Sequence, residues 1–352
     1  MINKKVLEFL CKKTQKELKR HLKKQLKAKY ETVISEDGFL FAKGSVPILL
    51  VAHMDTVHKE LPKQIVYSGN KMSSPQGIGA DDRLGVYGIM EIIKKYDCSV
   101  MFCEDEEIGC VGAEKFVDFL KDLIEDEERD IDVKEKYGVT SNDFNFNYII
   151  ELDRRGSEDA VFYDCDNPEF EEFITESGDW KTTWGSFSDI SELAPALGCA
   201  AVNLSCGYYN AHTANEYVVL DELEESILKT CRLIEKTKAE DKFEWVESTR
   251  RWYGGGWDYY DDYYGDYGYG KDAFGQYTYG KTYDNYKNTY IIMFRGEDGY
   301  FDWEDIYADS KIEAVGMFLM DHPDLTYADI EIECYEYESS SSTNSLVPYK
   351  KW

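Results

Sequence analysis

The 352 residues are enough for one large α/β domain and a smaller one, and 43% apolar residues can build a substantial core. The formal net charge of -29 argues against nucleic acid or an anionic membrane as a partner of the whole molecule. The sequence shows neither a signal peptide nor an apolar run long enough to span a bilayer, and its nine Cys include no metal-type pair, so we expect a cytoplasmic protein with free thiols.

Residues 1–30 differ in charge from the rest of the chain. They carry eleven Lys and Arg against two Glu, and Leu10, Leu18, Leu22 and Leu26 fall on one helical face. This pattern predicts a basic amphipathic helix. Docking of that helix on the acidic remainder of the chain is the favoured interpretation, and contact with a membrane or a nucleic acid is the alternative.

Residues 31–245 alternate short apolar runs with stretches of helical periodicity. Near-continuous apolar runs are typical of strands that are buried on both faces of a sheet. The pattern predicts a three-layer α/β/α domain with a mostly parallel sheet. The predicted strands are Pro47–Ala52, Ser99–Cys103, Tyr148–Leu152 and Ala200–Leu204, and the predicted helices lie near 84–96, 112–127, 186–197 and 221–239.

Residues 246–286 form a Tyr/Gly/Asp-rich segment, in which positions 252–286 contain eleven Tyr and eight Gly. Such a composition has too few aliphatic residues for an ordinary core. A flexible linker is the favoured interpretation, and a Tyr-rich segment that binds a partner is the alternative.

Residues 287–352 predict a small α+β appendage of unknown role. Thr289–Phe294 has the pattern of a strand, and Ile330–Tyr337 alternates as a half-exposed strand does. Ser310–Met320 has the pattern of a helix that begins with a capping box. A protein partner, if there is one, is expected to bind through residues 252–352.

Five short motifs that contain His, Asp and Glu occur in order along the first 216 residues. Four of them come just after a predicted strand, and ligands of open α/β sheets bind at the carboxyl ends of strands. Two imidazoles with several carboxylates are what a two-metal hydrolase requires. The motifs are Val-Ala-His53-Met-Asp55-Thr-Val, Gly-Ile-Gly-Ala-Asp81-Asp82-Arg, Glu104-Asp-Glu106-Glu107-Ile-Gly, Glu151-Leu-Asp153-Arg-Arg-Gly and Ala-His212-Thr-Ala-Asn-Glu216.

This series resembles the co-catalytic zinc exopeptidases, the superfamily that includes peptidase T, glutamate carboxypeptidases and the di-zinc aminopeptidases. The resemblance covers roughly residues 45–225 and implies a zinc-exopeptidase-like fold with two Zn²⁺ per chain. It implies that His53 and Asp153 hold one zinc, that Glu107 and His212 hold the other, and that Asp81 bridges them. Co²⁺ or Mn²⁺ also suits such ligands.

The resemblance also implies roles for two carboxylates beside the metals. Glu106 would be the general base that takes a proton from a water shared by the two ions and passes it to the leaving amine. Asp55 would accept the second ring N–H of His53 and fix the tautomer of that imidazole.

Two departures from the family pattern limit what carries over. Arg83 stands where many relatives have Lys, which keeps the charge. Only 58 residues separate Asp153 from His212, too few for the lid and dimerisation domain that many relatives insert there. The layout is therefore similar to the lidless aminopeptidase branch, and dimerisation through a lid is not implied.

The predicted function is an exopeptidase, above all an aminopeptidase that cleaves short peptides. An amidohydrolase or deacylase acting on a non-peptide amide is the first alternative, because the metal machinery would be shared. A catalytically silent binding protein is the second. His58 is expected at the rim of the site. Arg154, Asp189 and Glu216 are expected either to shape the substrate pocket or to make plain salt bridges.

Overall fold

The computed structural model describes residues 2–248 apart from Ser186 and Ala239, the backbone of six short strands farther along, and Phe318. The chain forms two compact units, 1–249 and 250–352. Most of the Tyr-rich segment lies outside the described residues, and so does the predicted helix Ser310–Met320 apart from Phe318.

Within residues 2–248 the structure alternates helices with strands, and the four strands and four helices predicted from the apolar pattern are all present. The helices are α1 (Lys4–Cys11), α2 (Gln15–Lys27), α3 (Ala80–Ile92), α4 (Val111–Glu128), α5 (Val133–Tyr137), α6 (Pro168–Gly178), α7 (Asp189–Leu197) and α8 (Leu220–Lys236), with a 3-10 helix at Ser141–Phe144. The strands are β1 (Val33–Ser35), β2 (Phe39–Ala42), β3 (Val46–His53), β4 (Val66–Ser68), β5 (Lys71–Ser73), β6 (Cys98–Cys103), β7 (Tyr148–Arg154), β8 (Asp159–Val161), β9 (Lys181–Thr183), β10 (Ala201–Ser205), β11 (Tyr208–Tyr209) and β12 (Tyr217–Val219).

The main sheet has eight strands in the order β1-β2-β6-β3-β7-β10-β8-β9. Its centre is parallel, because β3 pairs in parallel with both β6 and β7, and β10 pairs in parallel with β7. The strands β2 and β8 join this centre in antiparallel fashion. A second, antiparallel sheet has the order β11-β12-β5-β4. The predicted mostly parallel α/β sheet is confirmed.

Helices cover both faces of the main sheet, so the unit has three layers. On β3, Leu49 and Val51 pack with side chains from α4, α5 and α7. Ile48, Leu50 and Ala52 point the other way and pack with α1, α2, α3, α6 and α8. All five side chains are fully buried, which explains why a strand with two covered faces has a continuous apolar sequence.

The basic N-terminal segment forms two helices rather than the single helix that its leucines predicted. Thr14 has an extended conformation and caps α2, where its side chain and that of Glu17 form a capping box. The predicted apolar face is nevertheless buried on both sides of this break. Leu10 of α1 and Leu18 and Leu22 of α2 all belong to the core of the first unit.

The 58 residues between Asp153 and His212 contribute β8, α6, β9, α7, β10 and β11. Three of these strands belong to the main sheet and one to the second sheet. The described part of this stretch therefore completes the α/β unit, as the short spacing predicted for a form without a lid.

The second unit contains β13 (Tyr269–Lys271), β14 (Tyr277–Tyr279), β15 (Asn288–Arg295), β16 (Phe301–Ala308), β17 (Ile330–Glu336) and β18 (Val347–Pro348). β15 pairs antiparallel with β16 and with β17. The strands predicted at Thr289–Phe294 and Ile330–Tyr337 correspond to β15 and β17. Within the described part of the whole chain, the helices are too short or too polar to cross a membrane.

Candidate metal centre

The predicted site residues meet at the carboxyl ends of the parallel strands. His53 is the last residue of β3, Asp153 lies near the end of β7, and Glu106 and Glu107 follow β6. His212 lies in the turn between β11 and β12. The strands β6, β3 and β7 are neighbours in the main sheet, so side chains that are far apart in sequence converge at their ends.

Asp81 lies between the two imidazoles. It enters from the start of α3, where its backbone is not helical (φ -80°, ψ 102°) and the Asp81–Asp82 peptide bond is cis. Its Oδ1 lies 3.0 Å from Nε2 of His53, and its Oδ2 lies 3.2 Å from Nε2 of His212. Each oxygen of one carboxylate therefore faces a different histidine, which is the arrangement that a bridging ligand needs.

Two further carboxylates lie on the outer sides of this pair. Oδ1 of Asp153 is 3.5 Å from Nε2 of His53, and Oε2 of Glu107 is 3.0 Å from Nε2 of His212. The other oxygen of Glu107 is buried and has no hydrogen-bond partner among the described residues. Ligand atoms lie within 4.8 Å of one another in two groups, His53 with Asp81 and Glu107, and His53 with Asp82 and Asp153.

Asp55 connects the first histidine to the loop that follows β6. Its Oδ1 lies 3.1 Å from Nδ1 of His53. The same carboxylate accepts the backbone N–H groups of Glu106 at 3.1 Å and Glu107 at 3.0 Å. Burial alone would raise the pKa of Asp55, but the hydrogen bond with His53 and these backbone donors lower it. Asp55 therefore stays charged and orients the imidazole.

Glu106 lies beside His53, among the candidate ligands. Its Oε2 is 4.0 Å from Nε2 of His53, and the side chain is 10% exposed. Burial raises the pKa of Glu106 to about 7; His53 opposes the shift, whereas Glu107 and Asp81 add to it. A carboxyl group with a pKa near neutrality can both accept and release a proton, as a general base must.

The site holds more carboxyl groups than cationic side chains. Burial and the charge of Asp81 raise the pKa of Asp153, and burial with the charge of Asp153 raises that of Asp82. Hydrogen bonds with Asp81 and Glu107 raise the pKa of His212 to about 11. Burial would lower the pKa of His53, but Asp153 and the other carboxylates raise it well above its ordinary value. Divalent cations would relieve this excess negative charge, and imidazole with carboxylate is a donor set that zinc accepts.

Glu216 organises the loop that carries Asp81. It is fully buried, and its carboxylate accepts the backbone N–H of Gly79 at 2.7 Å and that of Asp81 at 3.1 Å. His58 also reaches it, with Nε2 2.8 Å from Oε2. His58, expected at the rim, is therefore largely buried against Glu216. Glu216 therefore holds the backbone that leads into Asp81, and His58 packs against Glu216.

Asp82 and Arg83, which follow Asp81, make hydrogen bonds with backbone groups of neighbouring segments. Asp82 accepts the N–H of His53 at 3.3 Å and that of Gly85 at 2.7 Å, so both of its oxygens have backbone donors. Arg83 is buried and donates to the carbonyl oxygens of Met54, Asp55 and Lys13. Asp82 and Arg83 therefore join the motifs to one another and to the N-terminal segment.

Asp189 and Arg154 occupy different environments. Asp189 is fully buried at the start of α7, and burial raises its pKa to about 8. Its neighbour Ser188 donates to the buried carboxyl of Glu151. Arg154 is partly exposed, with Nε 3.4 Å from Oδ2 of Asp159 and one amino group directed at the carbonyl of Trp184. Asp189 thus belongs to the interior, whereas Arg154 lies at the surface beside Asp153.

Comparison of the sequence with protein-family models and with curated proteins finds no match. Among solved structures, the chain is similar to the aminopeptidase PepT from Bacillus cereus ATCC 10987, with 16% identity and a TM-score of 0.50 over 66% of this chain and 96% of that one. A tripeptidase from Staphylococcus aureus subsp. aureus Mu50 gives 13% identity and a TM-score of 0.48 over 65% and 96%. Aminopeptidase APDkam598 from the archaeon Desulfurococcus kamchatkensis gives 15% and 0.49 over 66% and 94%. The first likeness shows that the chain shares the fold of that aminopeptidase, so the predicted resemblance is confirmed at the level of the fold.

Proposed function

We propose that the chain is a metal-dependent hydrolase of peptide bonds, an aminopeptidase that acts on short peptides with two zinc ions. The observation that supports this most strongly is the position of Asp81, with one oxygen 3.0 Å from His53 and the other 3.2 Å from His212. A single carboxylate between two imidazoles, each with a further carboxylate beside it, is a donor set for two metal ions rather than one.

In this proposal His53 and Asp153 would hold one ion, Glu107 and His212 would hold the other, and Asp81 would be a ligand of both. The unpartnered, buried Oε1 of Glu107 fits this assignment, because a buried carboxylate oxygen without a donor is costly unless a cation is present. When bound, such ions supply Lewis acidity toward a water molecule and a substrate carbonyl. Asp55 fixes the ring of His53 so that Nε2 faces Asp81, where an ion would bind.

Glu106 moves the proton. Its carboxylate accepts a proton from the attacking water and then donates it to the nitrogen of the leaving amine. The raised pKa of this group in the metal-free protein reflects burial, and bound cations would lower it again. Asp55 holds the backbone N–H of Glu106 at 3.1 Å, so the base is fixed relative to His53.

The charge of the site supports a substrate with a free amino terminus. Six carboxyl groups lie around the two histidines, so two divalent ions would bring four positive charges against at most six negative ones. A protonated α-amino group would supply further positive charge. An N-acylated substrate has no such charge, which favours an aminopeptidase over a deacylase. The carboxyl groups are Asp55, Asp81, Asp82, Glu106, Glu107 and Asp153.

A substrate panel combined with one substitution tests the function. Wild type loaded with zinc should release the first residue of unblocked di- and tripeptides, should leave N-acetylated forms of the same peptides intact, and should lose activity on chelation. Glu106→Gln should retain the metals and lose about 10²–10⁴ in kcat, because proton transfer by a placed side chain contributes about that much.

Glu114→Gln is the matched control, since Glu114 is exposed on α4. This variant should behave as wild type. Turnover of Glu106→Gln at the wild-type rate would contradict the assigned base. Cleavage of the acetylated peptides in preference to the free ones would instead favour a deacylase.

We also propose that residues 31–245 form the catalytic part with residues 1–30 packed on it, and that residues 287–352 are an appendage. The described cysteines are free thiols, which suits the reducing cytoplasm. Measurement of activity and thermal unfolding for a chain that ends at residue 249 tests this division. Full activity of the shortened chain is the expected result.

A further inference from the structure

The start of α2 contacts the loop that carries the general base. Gln15, the first residue of α2, donates from Nε2 to Oδ1 of Asp105 at 2.8 Å. Its Oε1 accepts the backbone N–H of the same residue at 3.1 Å. One amide side chain therefore satisfies both the side chain and the backbone of Asp105, the residue immediately before Glu106.

A second residue of the same helix contacts the loop one position earlier. Lys19 makes an ion pair with Glu104, and both side chains are 15% exposed. The carboxylate of Glu104 also accepts the N–H of Gly38 at 3.0 Å. The helix thus contacts two consecutive residues of the Glu104–Glu107 motif.

Asp105 needs this support because its backbone is left-handed, with φ at +60°. This conformation is uncommon for a residue with a Cβ, although Asp and Asn adopt it more readily than most, and contacts such as those with Gln15 stabilise it. In this conformation Asp105 turns its own side chain toward α2 while the next residue, Glu106, enters the metal centre. A relaxed Asp105 would redirect the peptide that leads into Glu106.

The opposite side of the loop is held by Asp55, which accepts the N–H groups of Glu106 and Glu107. Glu106 therefore follows a residue that is fixed from one side and is itself fixed from the other. Asp55 belongs to the metal centre, whereas Gln15 lies on a helix about 90 residues earlier in sequence and takes no part in binding metal.

We infer that Gln15 is a positioning residue for the reaction, acting through Asp105 on the orientation of Glu106. The inference rests on the proposed function, in which Glu106 is the base. It gives the basic N-terminal segment a role beyond covering the core, because α2 places the polar contact that sets the loop.

Gln15→Ala tests the inference with Gln25→Ala as its control, since Gln25 is an exposed glutamine on the same helix. We expect Gln15→Ala to lower kcat by about 10- to 100-fold, as small displacements of catalytic groups do, while KM stays within about twofold of wild type. Zinc content should not change. Gln25→Ala should match wild type in all three measurements.

Two further substitutions separate positioning from simple loss of packing. Gln15→Glu keeps the size and the helix but brings a carboxylate against that of Asp105, so its kcat should fall at least as far as that of Gln15→Ala. Asp105→Asn keeps an oxygen acceptor for Gln15 and tolerates positive φ, so its kcat should stay near wild type.

Hydrogen exchange of the metal-free protein supplies a readout that does not depend on turnover. The backbone amides of residues 105–107 should exchange at least about tenfold faster in Gln15→Ala than in Gln25→Ala, while amides of the central strands do not change. Unchanged exchange at 105–107 would overturn the inference even if the chain hydrolysed nothing. If wild type is inactive but the amides of residues 105–107 exchange faster in Gln15→Ala, only the proposed function is contradicted. If wild type is active and Gln15→Ala has the same kcat, only the inference is overturned.

Discussion

Glu216→Ala should destabilise both the fold and the metal centre. The substitution removes the acceptor for two buried backbone N–H groups, those of Gly79 and Asp81, which lie 2.7 and 3.1 Å from the carboxylate. Each buried donor left unpaired costs about 1–3 kcal/mol, so the free energy of unfolding should fall by about 2–6 kcal/mol. For a unit of this size the melting temperature should fall by roughly 5–20 °C.

The loss should extend to metal affinity, because the freed loop carries Asp81. Removing a residue that orients a ligand lowers metal affinity about 10- to 100-fold. Thermal unfolding of the metal-free protein and competition for zinc with a chelator measure the two effects. Glu225→Ala is the control, since its ion pair with Arg232 is about half exposed and contributes little. A melting temperature and zinc affinity for Glu216→Ala equal to those of this control would refute the reasoning.

Two other substitutions test the energetic effect of buried charge, one at Arg83 and one at Glu106. Arg83→Met leaves the carbonyls of Met54 and Lys13 without their buried donor and should lower the free energy of unfolding in urea by about 3 kcal/mol, whereas Arg83→Lys should lose less because one charged donor remains. In the metal-free protein, burial raises the pKa of Glu106 from about 4.5 to about 7, so the folded state binds more protons than the unfolded state in that window and stability falls as pH rises through it. Glu106→Gln should therefore stabilise the metal-free protein by about 1–3 kcal/mol at pH 8 and have little effect near pH 4.5; equal melting curves of the two proteins at pH 8 would contradict the burial argument.

The sequence predicted the centre of the fold because its strands are covered on both faces. Four such strands have near-continuous apolar sequences, and β3 shows why, with every residue from Ile48 to Ala52 buried. The second sheet was not predicted. Its strands are only two or three residues long, and β4 is exposed along its whole length, so they carry no periodicity to detect.

The candidate ligands could be named from sequence because four of the five motifs that carry them come just after a predicted strand, whereas the residues that hold them could not. Glu216 contacts residues about 137 positions earlier, and Gln15 contacts a loop 90 positions later. Such pairings depend on tertiary packing and leave no local pattern. The break at Thr14 was a different case, since its capping box with Glu17 is a local signal that the run of leucines obscured.

Zinc stoichiometry tests the central claim, that Asp81 joins two metal positions, most directly. Metal analysis of the purified chain equilibrated with zinc should give two ions per wild-type chain. His212→Ala should leave one ion, because His53 and Asp153 remain, and Asp81→Ala should weaken both positions. A single ion in wild type, or two tightly bound ions in Asp81→Ala, would contradict the account.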